Sequence, residues 1–166
     1  IEYFHHTYPQ KHGEISFLST FYRDEIFFPI DSSEKIKIRN RFLQQQSLPG
    51  DSRLVLFAGR WEAQKDPLLA LRTFAVLSAR RRDIHLLFAG SGCLQPRMEA
   101  LVKSLHLQNR VHLLGSLSPS ELAEILHASD VFLLTSQFEG MPIGVLEALA
   151  CGLPVVATDT GEIKTV

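Results

Sequence analysis

The chain has 166 residues, with 17 Lys and Arg against 18 Asp and Glu, a net charge of −1, and a composition that is 45% hydrophobic and 21% charged. That length suffices for one domain with a real core, and the near-neutral balance speaks against a nucleic-acid or polyanion partner, which needs a basic face. No run is apolar enough to cross a bilayer, no signal segment opens the chain, and Cys93 and Cys151 lack ligand-like spacing, so reduced thiols and a cytoplasmic location are expected.

Residues 1–19 mix aromatic and polar residues without a period and read as irregular, or as the tail of a preceding domain. His5, His6 and His12 have no carboxylate or cysteine at a characteristic spacing, so no metal site is expected there. Ser32 and Ser33 read as the cap of a helix over 33–46 that packs through Ile36, Phe42 and Leu43 and ends at Leu48-Pro49-Gly50. From Leu54 onward short apolar runs at 54–58, 84–89, 111–114, 131–134 and 154–158 alternate with amphipathic ones at 67–81, 96–106, 119–128 and 142–151. Such alternation predicts an α/β fold, a Rossmann-like parallel sheet with helices on both faces, right-handed crossovers and ligands at the strands' carboxyl ends. Arg80-Arg81-Arg82 then falls at a helix end, where cations complement the dipole.

The residues just beyond each strand carry the candidate chemistry. After the first come Gly59, Arg60 and Lys65, with Asp66-Pro67 opening the next helix. Two cations there suit a diphosphate; the competing reading pairs Arg60 with Glu62 at the surface and leaves Lys65 solvated. After the second, Gly90-Ser91-Gly92 permits close backbone approach, either to a ligand or within a tight turn. A dinucleotide fingerprint fails, because Gln95 occupies the third glycine position. After the third, Ser118 and Glu121 form a capping box; His112 and His127 read as packing or surface residues, and Asp130 as a hydrogen-bonding group at a strand start.

After the fourth strand the run from Thr135 to Gly152 opens a helix with Pro142 in its first turn and closes it at Gly152. Gly140 and Gly144 leave amides unscreened at a helix N-terminus, which favours an anion. Glu139 precedes the helix, and Glu147 stands alone among apolar residues on a helix expected to be buried on most sides. Carboxylates for sugar hydroxyls and amides for phosphate together suggest a nucleotide-sugar site; the bland reading makes both glutamates surface residues.

The pattern Ser136-x-x-Glu139-Gly140 followed by Glu147-Ala148-x-Ala150-x-Gly152-x-Pro154-Val155-Val156-Ala157-Thr158-x-x-Gly161 resembles the signature of retaining GT-B glycosyltransferases, in particular their fourth sequence family, also called group 1. The likeness runs from Ile26 to Gly161 and implies the C-terminal, donor-binding half of a GT-B fold. Tyr22–Ile30 is similar to the family's interdomain entry, except that Asp24 falls one residue late. Domains are accordingly expected at 1–50, a linker and packing helix, and at 51–166, a nucleotide-sugar-binding domain incomplete at its C-terminus. The resemblance implies transfer of a hexosyl group from a UDP- or GDP-linked donor with retention of configuration, without metal or cofactor.

In the roles it carries over, Arg60 and Lys65 grip the phosphates and stabilise the leaving group, Glu139 hydrogen-bonds the sugar, and Glu147 accepts the ribose hydroxyls. Gly59, the loop of Gly90, Ser91 and Gly92, and the backbone of Leu117 would lie at the nucleotide, and the backbone of Gly140, Met141, Pro142, Ile143, Gly144 and Val145 at the phosphates. A missing N-terminal domain would bind the acceptor, so this chain alone is expected to bind donor weakly and transfer nothing. Relatives of this kind build cell-envelope polysaccharides, and the longer protein would be cytoplasmic or peripheral at the cytoplasmic membrane face. The alternatives are a GT-B sugar-nucleotide epimerase or phosphorylase-like enzyme, a non-catalytic nucleotide-binding module, and a receiver-like domain, which would need an acidic cluster where Arg60 and Lys65 stand.

Overall fold

The computed structural model describes residues 22–161. The readings made for 1–19, with His5, His6 and His12, and for the last residues, 162–166, lie outside the described residues. In chain order the described elements are α1 (Ser32–Gln45), β1 (Arg53–Ala58), α2 (Pro67–Arg80), β2 (Ile84–Ala89), α3 (Gln95–Ser104), β3 (Val111–Gly115), α4 (Pro119–Ala128), β4 (Val131–Leu134), α5 (Ile143–Ala150) and β5 (Val155–Ala157). All the strand pairs are parallel and the sheet order is β3-β2-β1-β4-β5. The chain therefore moves outward from β1 through β3 and then returns to the other side of β1 for β4. Loops leaving the carboxyl ends of β1 and β4 diverge, and a crevice opens between them.

Strand residues alternate between two cores, as burial on both sides requires. Leu54, Leu56, Leu87, Phe132 and Leu134 join Phe42 and Leu43 of α1, Ala123 and Leu126 of α4, and Val145 and Ala148 of α5. On the opposite face Val55, Phe57, Leu86 and Phe88 pack with Leu71 and Phe74 of α2 and Met98 of α3. Helices thus cover both faces. No helix among the described residues is long and apolar enough to cross a membrane.

Local signals decide where several helices begin. Ser118 and Glu121 form the reciprocal capping box of α4, and Asp66 caps α2 through the Leu69 amide while held at φ 42°. Others differ from expectation. The carboxylate of Asp31, rather than Ser32 or Ser33, caps α1 by accepting from the amides of Ser33 and Glu34 at 2.8 and 2.9 Å, so the helix begins one residue early. Ile36 is 58% exposed and does not pack; Ile38 meets the core instead. Pro142, with ψ 88°, precedes α5 rather than opening it, and α5 buries one stripe instead of most of its surface, leaving Ile143 and Leu149 exposed.

At the amino ends of the strands, Asp130 ties the sheet to α1. Its carboxylate accepts from Arg39 at 2.9 Å, Arg53 at 3.0 Å and the Leu54 amide at 2.8 Å, while Arg39 also donates to the carbonyls of Ala128 and Ser52. Burial pushes the Asp130 carboxyl up, but these donors outweigh it and hold it below the usual range.

Three half-buried or buried histidines give the fold a pH dependence. His85 Nδ1 and His112 Nε2 lie 3.1 Å apart across β2 and β3, and His127 is buried on α4 with Nδ1 unpartnered among the described residues. Burial lowers the pKa of each; for His85 the charges of His112 and Arg110, and for His127 that of Lys35, add to it. The unfolded chain therefore takes up protons first as pH drops through about 6.5, and stability falls below that point. Glu147, raised by burial, contributes with the opposite sign nearer its ordinary value of 4.5. We expect the urea midpoint to decline between pH 7.5 and 5.5, and less steeply in His85→Leu/His112→Leu; an unchanged midpoint across that range would contradict the assignment.

Candidate functional site

The crevice at the carboxyl ends of β1 to β4 has two adjoining lobes that share Ala58, Gly59 and Leu122. One, of about 240 Å³, is lined further by Arg60, Gly90, Ser91, Ser116 and Leu117. The other, of about 260 Å³, is lined by Lys65, Met141, Ile143, Gly144 and Glu147. Ten of the residues singled out from sequence thus meet in one cleft: Gly59, Arg60, Gly90, Ser91 and Leu117 in the first lobe, the five just named in the second.

The first lobe is built from three strand-end loops laced by backbone bonds. Gly59 donates to Ala89, Gly90 to Gly115, and Trp61 to Ser91. Trp61, 1% exposed, anchors the loop after β1 by setting its indole edge-on to Phe88, 6.4 Å between ring centroids. Gly90 sits at φ 132°, and a Cβ there would overlap the Gly59 carbonyl and stand 3.2 Å from Trp61 Nε1. Its missing side chain therefore serves the approach of two loops of this chain, and Gly92 likewise backs onto the Trp61 backbone instead of lining the cleft. Ser116 and Ser91 join their hydroxyls at 3.0 Å on the cleft wall.

Of the two cations, Arg60 is exposed at the rim, paired with Glu62 at 2.9 Å and with Gln64 at 3.3 Å, as the surface reading anticipated. Lys65 is not solvated. Its side chain is 19% exposed and its Nζ meets Glu139 Oε1 at 2.5 Å, joining residues that stand 74 positions apart. Glu139 is 4% exposed and so is not the open loop carboxylate of the bland reading. Further bonds stitch the loop after β4 to the loop after β1: Thr135 donates to the Lys65 and Asp66 carbonyls, the Gln137 amide to Gln64, Gln137 Nε2 to Asp66, and Gln64 to Phe138.

At the start of α5 the Val145 amide is consumed by the Pro142 carbonyl at 2.9 Å and its side chain lies in the core, so Val145 offers a ligand nothing; Pro142 has no N–H and is buried. The first-turn donors that remain are those of Ile143 and Gly144, both on the cleft. Gly140 is exposed outside both lobes. Glu147 reaches the second lobe from α5 half-buried, its carboxyl pushed up by burial and only partly restrained by the charge of Arg23. Burial together with Glu147 also raises the Cys151 thiol to about 11, which leaves it unreactive. Among the described residues no group of His, Cys, Asp and Glu is arranged to hold a metal ion.

Sequence reading passed over Ser116, Leu122 and Ser136. Ser136 lay inside the quoted motif, and its buried hydroxyl donates to Glu139 Oε1 at 2.5 Å. Leu122 carried no signal beyond helical spacing on α4.

The profile of the family described as glycosyl transferases group 1 matches residues 38–166. Mannosylfructose-phosphate synthase of Agrobacterium fabrum is 30% identical over 164 residues, covering 94% of this chain and 35% of that protein. The chain spans about a third of the length of the curated relatives it matches. Among solved structures, sucrose-phosphate synthase of Thermosynechococcus elongatus superposes with a TM-score of 0.73 at 25% identity, over 99% of this chain and 40% of that one. Anabaena HepE in complex with UDP-glucose shares the fold at TM-score 0.70 and 19% identity, over 87% of this chain and 38% of that one.

Proposed function

Because the chain belongs to the group 1 glycosyl transferases, we propose that it forms the donor-binding half of an enzyme that moves a hexosyl group from a nucleoside diphosphate sugar to an acceptor with retention of configuration. The observation that carries this reading is the second lobe. There Lys65, the free amides at the start of α5 and the half-buried carboxylate of Glu147 converge from elements on both sides of the switch between β1 and β4. A diphosphate would sit against Lys65 and the Ile143 and Gly144 amides, where a fixed cation and a helix N-terminus favour negative charge. Glu147 would accept the ribose hydroxyls, and the nucleobase would extend into the first lobe beside Leu117, Ser91 and Ser116.

In the transfer step the bond from the anomeric carbon to the diphosphate breaks while the acceptor hydroxyl attacks from the same face, and negative charge grows on the departing phosphate, which takes the hydroxyl's proton. Lys65 and the amides stabilise that charge by preorganisation. Arg60 would leave Glu62 and swing over the first lobe to meet the second phosphate. On this reading the chain's own cations supply the positive charge and no metal or cofactor is required. Glu139 would hydrogen-bond sugar hydroxyls without acting as a nucleophile. A UDP- or GDP-linked donor fits, the acceptor would be held by a part of the protein outside this chain, and the enzyme would work in the cytoplasm or at a membrane's cytoplasmic face. The likeness to a protein named mannosylfructose-phosphate synthase and the UDP-glucose in HepE support a sugar donor of this kind.

Calorimetric titration of the intact protein with UDP-glucose, GDP-mannose and ADP-glucose tests the reading. One donor is expected to bind selectively, with affinity falling about 10-fold in Glu147→Gln and in Arg60→Ala, each having lost one charge-assisted contact. A folded protein that binds none of the three would leave only the fold.

A further inference from the structure

The pairing of Lys65 with Glu139 poses a problem for a donor site. A cation already satisfied by a buried carboxylate is less available to phosphate, and a carboxylate that loses its cation to phosphate is left buried with too few partners. Ser136 also bonds that carboxylate. Its hydroxyl and Lys65 Nζ converge on the same oxygen, Glu139 Oε1, each at 2.5 Å, while Oε2 has no partner among the described residues. Ser136 is 1% exposed and its backbone carbonyl is held by Thr158 Oγ1 at 2.6 Å, so the hydroxyl approaches from a fixed frame. Thr135, one residue earlier, is bonded to the carbonyls of Lys65 and Asp66, which locks the two strand-end loops together.

Resting on the donor-site reading above, we propose that Ser136 is a positioning residue that acts through Glu139. By pinning Oε1 it leaves Oε2 for the donor's sugar. Ser136 touches neither sugar nor phosphate. Its effect must therefore be specific to donors that carry a sugar, since the bare nucleoside diphosphate never engages Glu139 Oε2.

That difference gives the test. In the intact protein, UDP, UDP-glucose, GDP and GDP-mannose are titrated by calorimetry into the wild type, Ser136→Ala and Ser136→Thr, with thermal midpoints recorded alongside. Ser136→Ala is expected to bind the bare nucleotide within 2-fold of wild type and to lose about 10-fold of the preference for the nucleotide sugar over it, as fits one hydrogen bond to a charged group. Ser136→Thr, which keeps the hydroxyl, restores the preference. In a Glu139→Ala background, where the preference is already gone, Ser136→Ala has no further effect. An unchanged preference in Ser136→Ala overturns the proposal, as does a loss shared equally by nucleotide and nucleotide sugar with a lowered midpoint, which is the mark of a structural role. Wild type that binds none of the four ligands overturns the donor-site reading itself and the proposal with it.

Discussion

Lys65→Ala is expected to lower the rate at which the intact protein releases nucleoside diphosphate from its donor by about 1,000-fold. Removing a single preorganised group from a site of developing oxyanion charge costs roughly 100- to 1,000-fold, and here two losses combine. The departing phosphate loses its cation, and Glu139, 4% exposed, loses the charge that balances it. Breaking a buried ion pair from one side destabilises by about 3–5 kcal/mol, because the remaining charge is desolvated without compensation. A second variant separates the effects. Lys65→Met/Glu139→Gln removes both charges, so the thermal midpoint should recover most of what Lys65→Ala loses while release stays slow. If Lys65→Ala keeps its release rate within 10-fold of wild type, the lysine is structural and the phosphate site lies elsewhere.

Asp130→Ala should be the most damaging substitution outside the crevice. It takes the counter-charge from the Arg39 guanidinium, whose side chain is 19% exposed and which keeps the carbonyls of Ala128 and Ser52, and it unpairs the Leu54 amide at the start of the central strand. The penalty combines an uncompensated buried charge with an unpaired backbone donor and should reach about 3–5 kcal/mol. In a domain of this size that corresponds to a fall in thermal midpoint of roughly 10 °C or more. Asp130→Asn keeps the acceptor for Leu54 and should lose less. Because its donors hold the folded carboxyl below the ordinary 3.8, the contribution of Asp130 is fully present above that pH and vanishes as pH falls through the folded value. Wild type and Asp130→Ala should therefore converge in stability at strongly acid pH. A midpoint within 2 °C of wild type at pH 7 would show that α1 is held by its apolar face alone.

The two networks have the same origin in the fold. Lys65 and Glu139 meet at the carboxyl ends of β1 and β4, Arg39 and Asp130 near the amino ends of the same strands. β4 lying beside β1 brings Lys65 to Glu139 and Leu54 to Asp130, 74 and 76 positions apart, and α1 packing against α4 adds Arg39. Polar groups bridge the central strand pair at both edges, and apolar residues fill the sheet between them.

What the sequence determined by itself is local. Short apolar runs and amphipathic stretches placed every strand and helix among the described residues to within a residue or two, because each reports the burial of its own side chains. Asp66, Ser118 with Glu121, and Gly152 announced helix ends by chemistry acting within four residues. The placement of Arg60, Lys65 and Glu147 near one cleft was legible too, since residues just past parallel strands gather on one edge of the sheet. Tertiary structure alone decided the rest. The order β3-β2-β1-β4-β5 chose which loops face each other, and so turned two candidate residues, Lys65 and Glu139, into one ion pair. It buried Ser136 against that pair, withdrew Val145 into the core, buried Pro142, and set Gly90 against the chain's own Gly59. The physical reason is range: capping and periodicity act between neighbours in sequence, whereas the availability of a charge, an amide or a hydroxyl to a ligand depends on what the folded chain has already placed beside it.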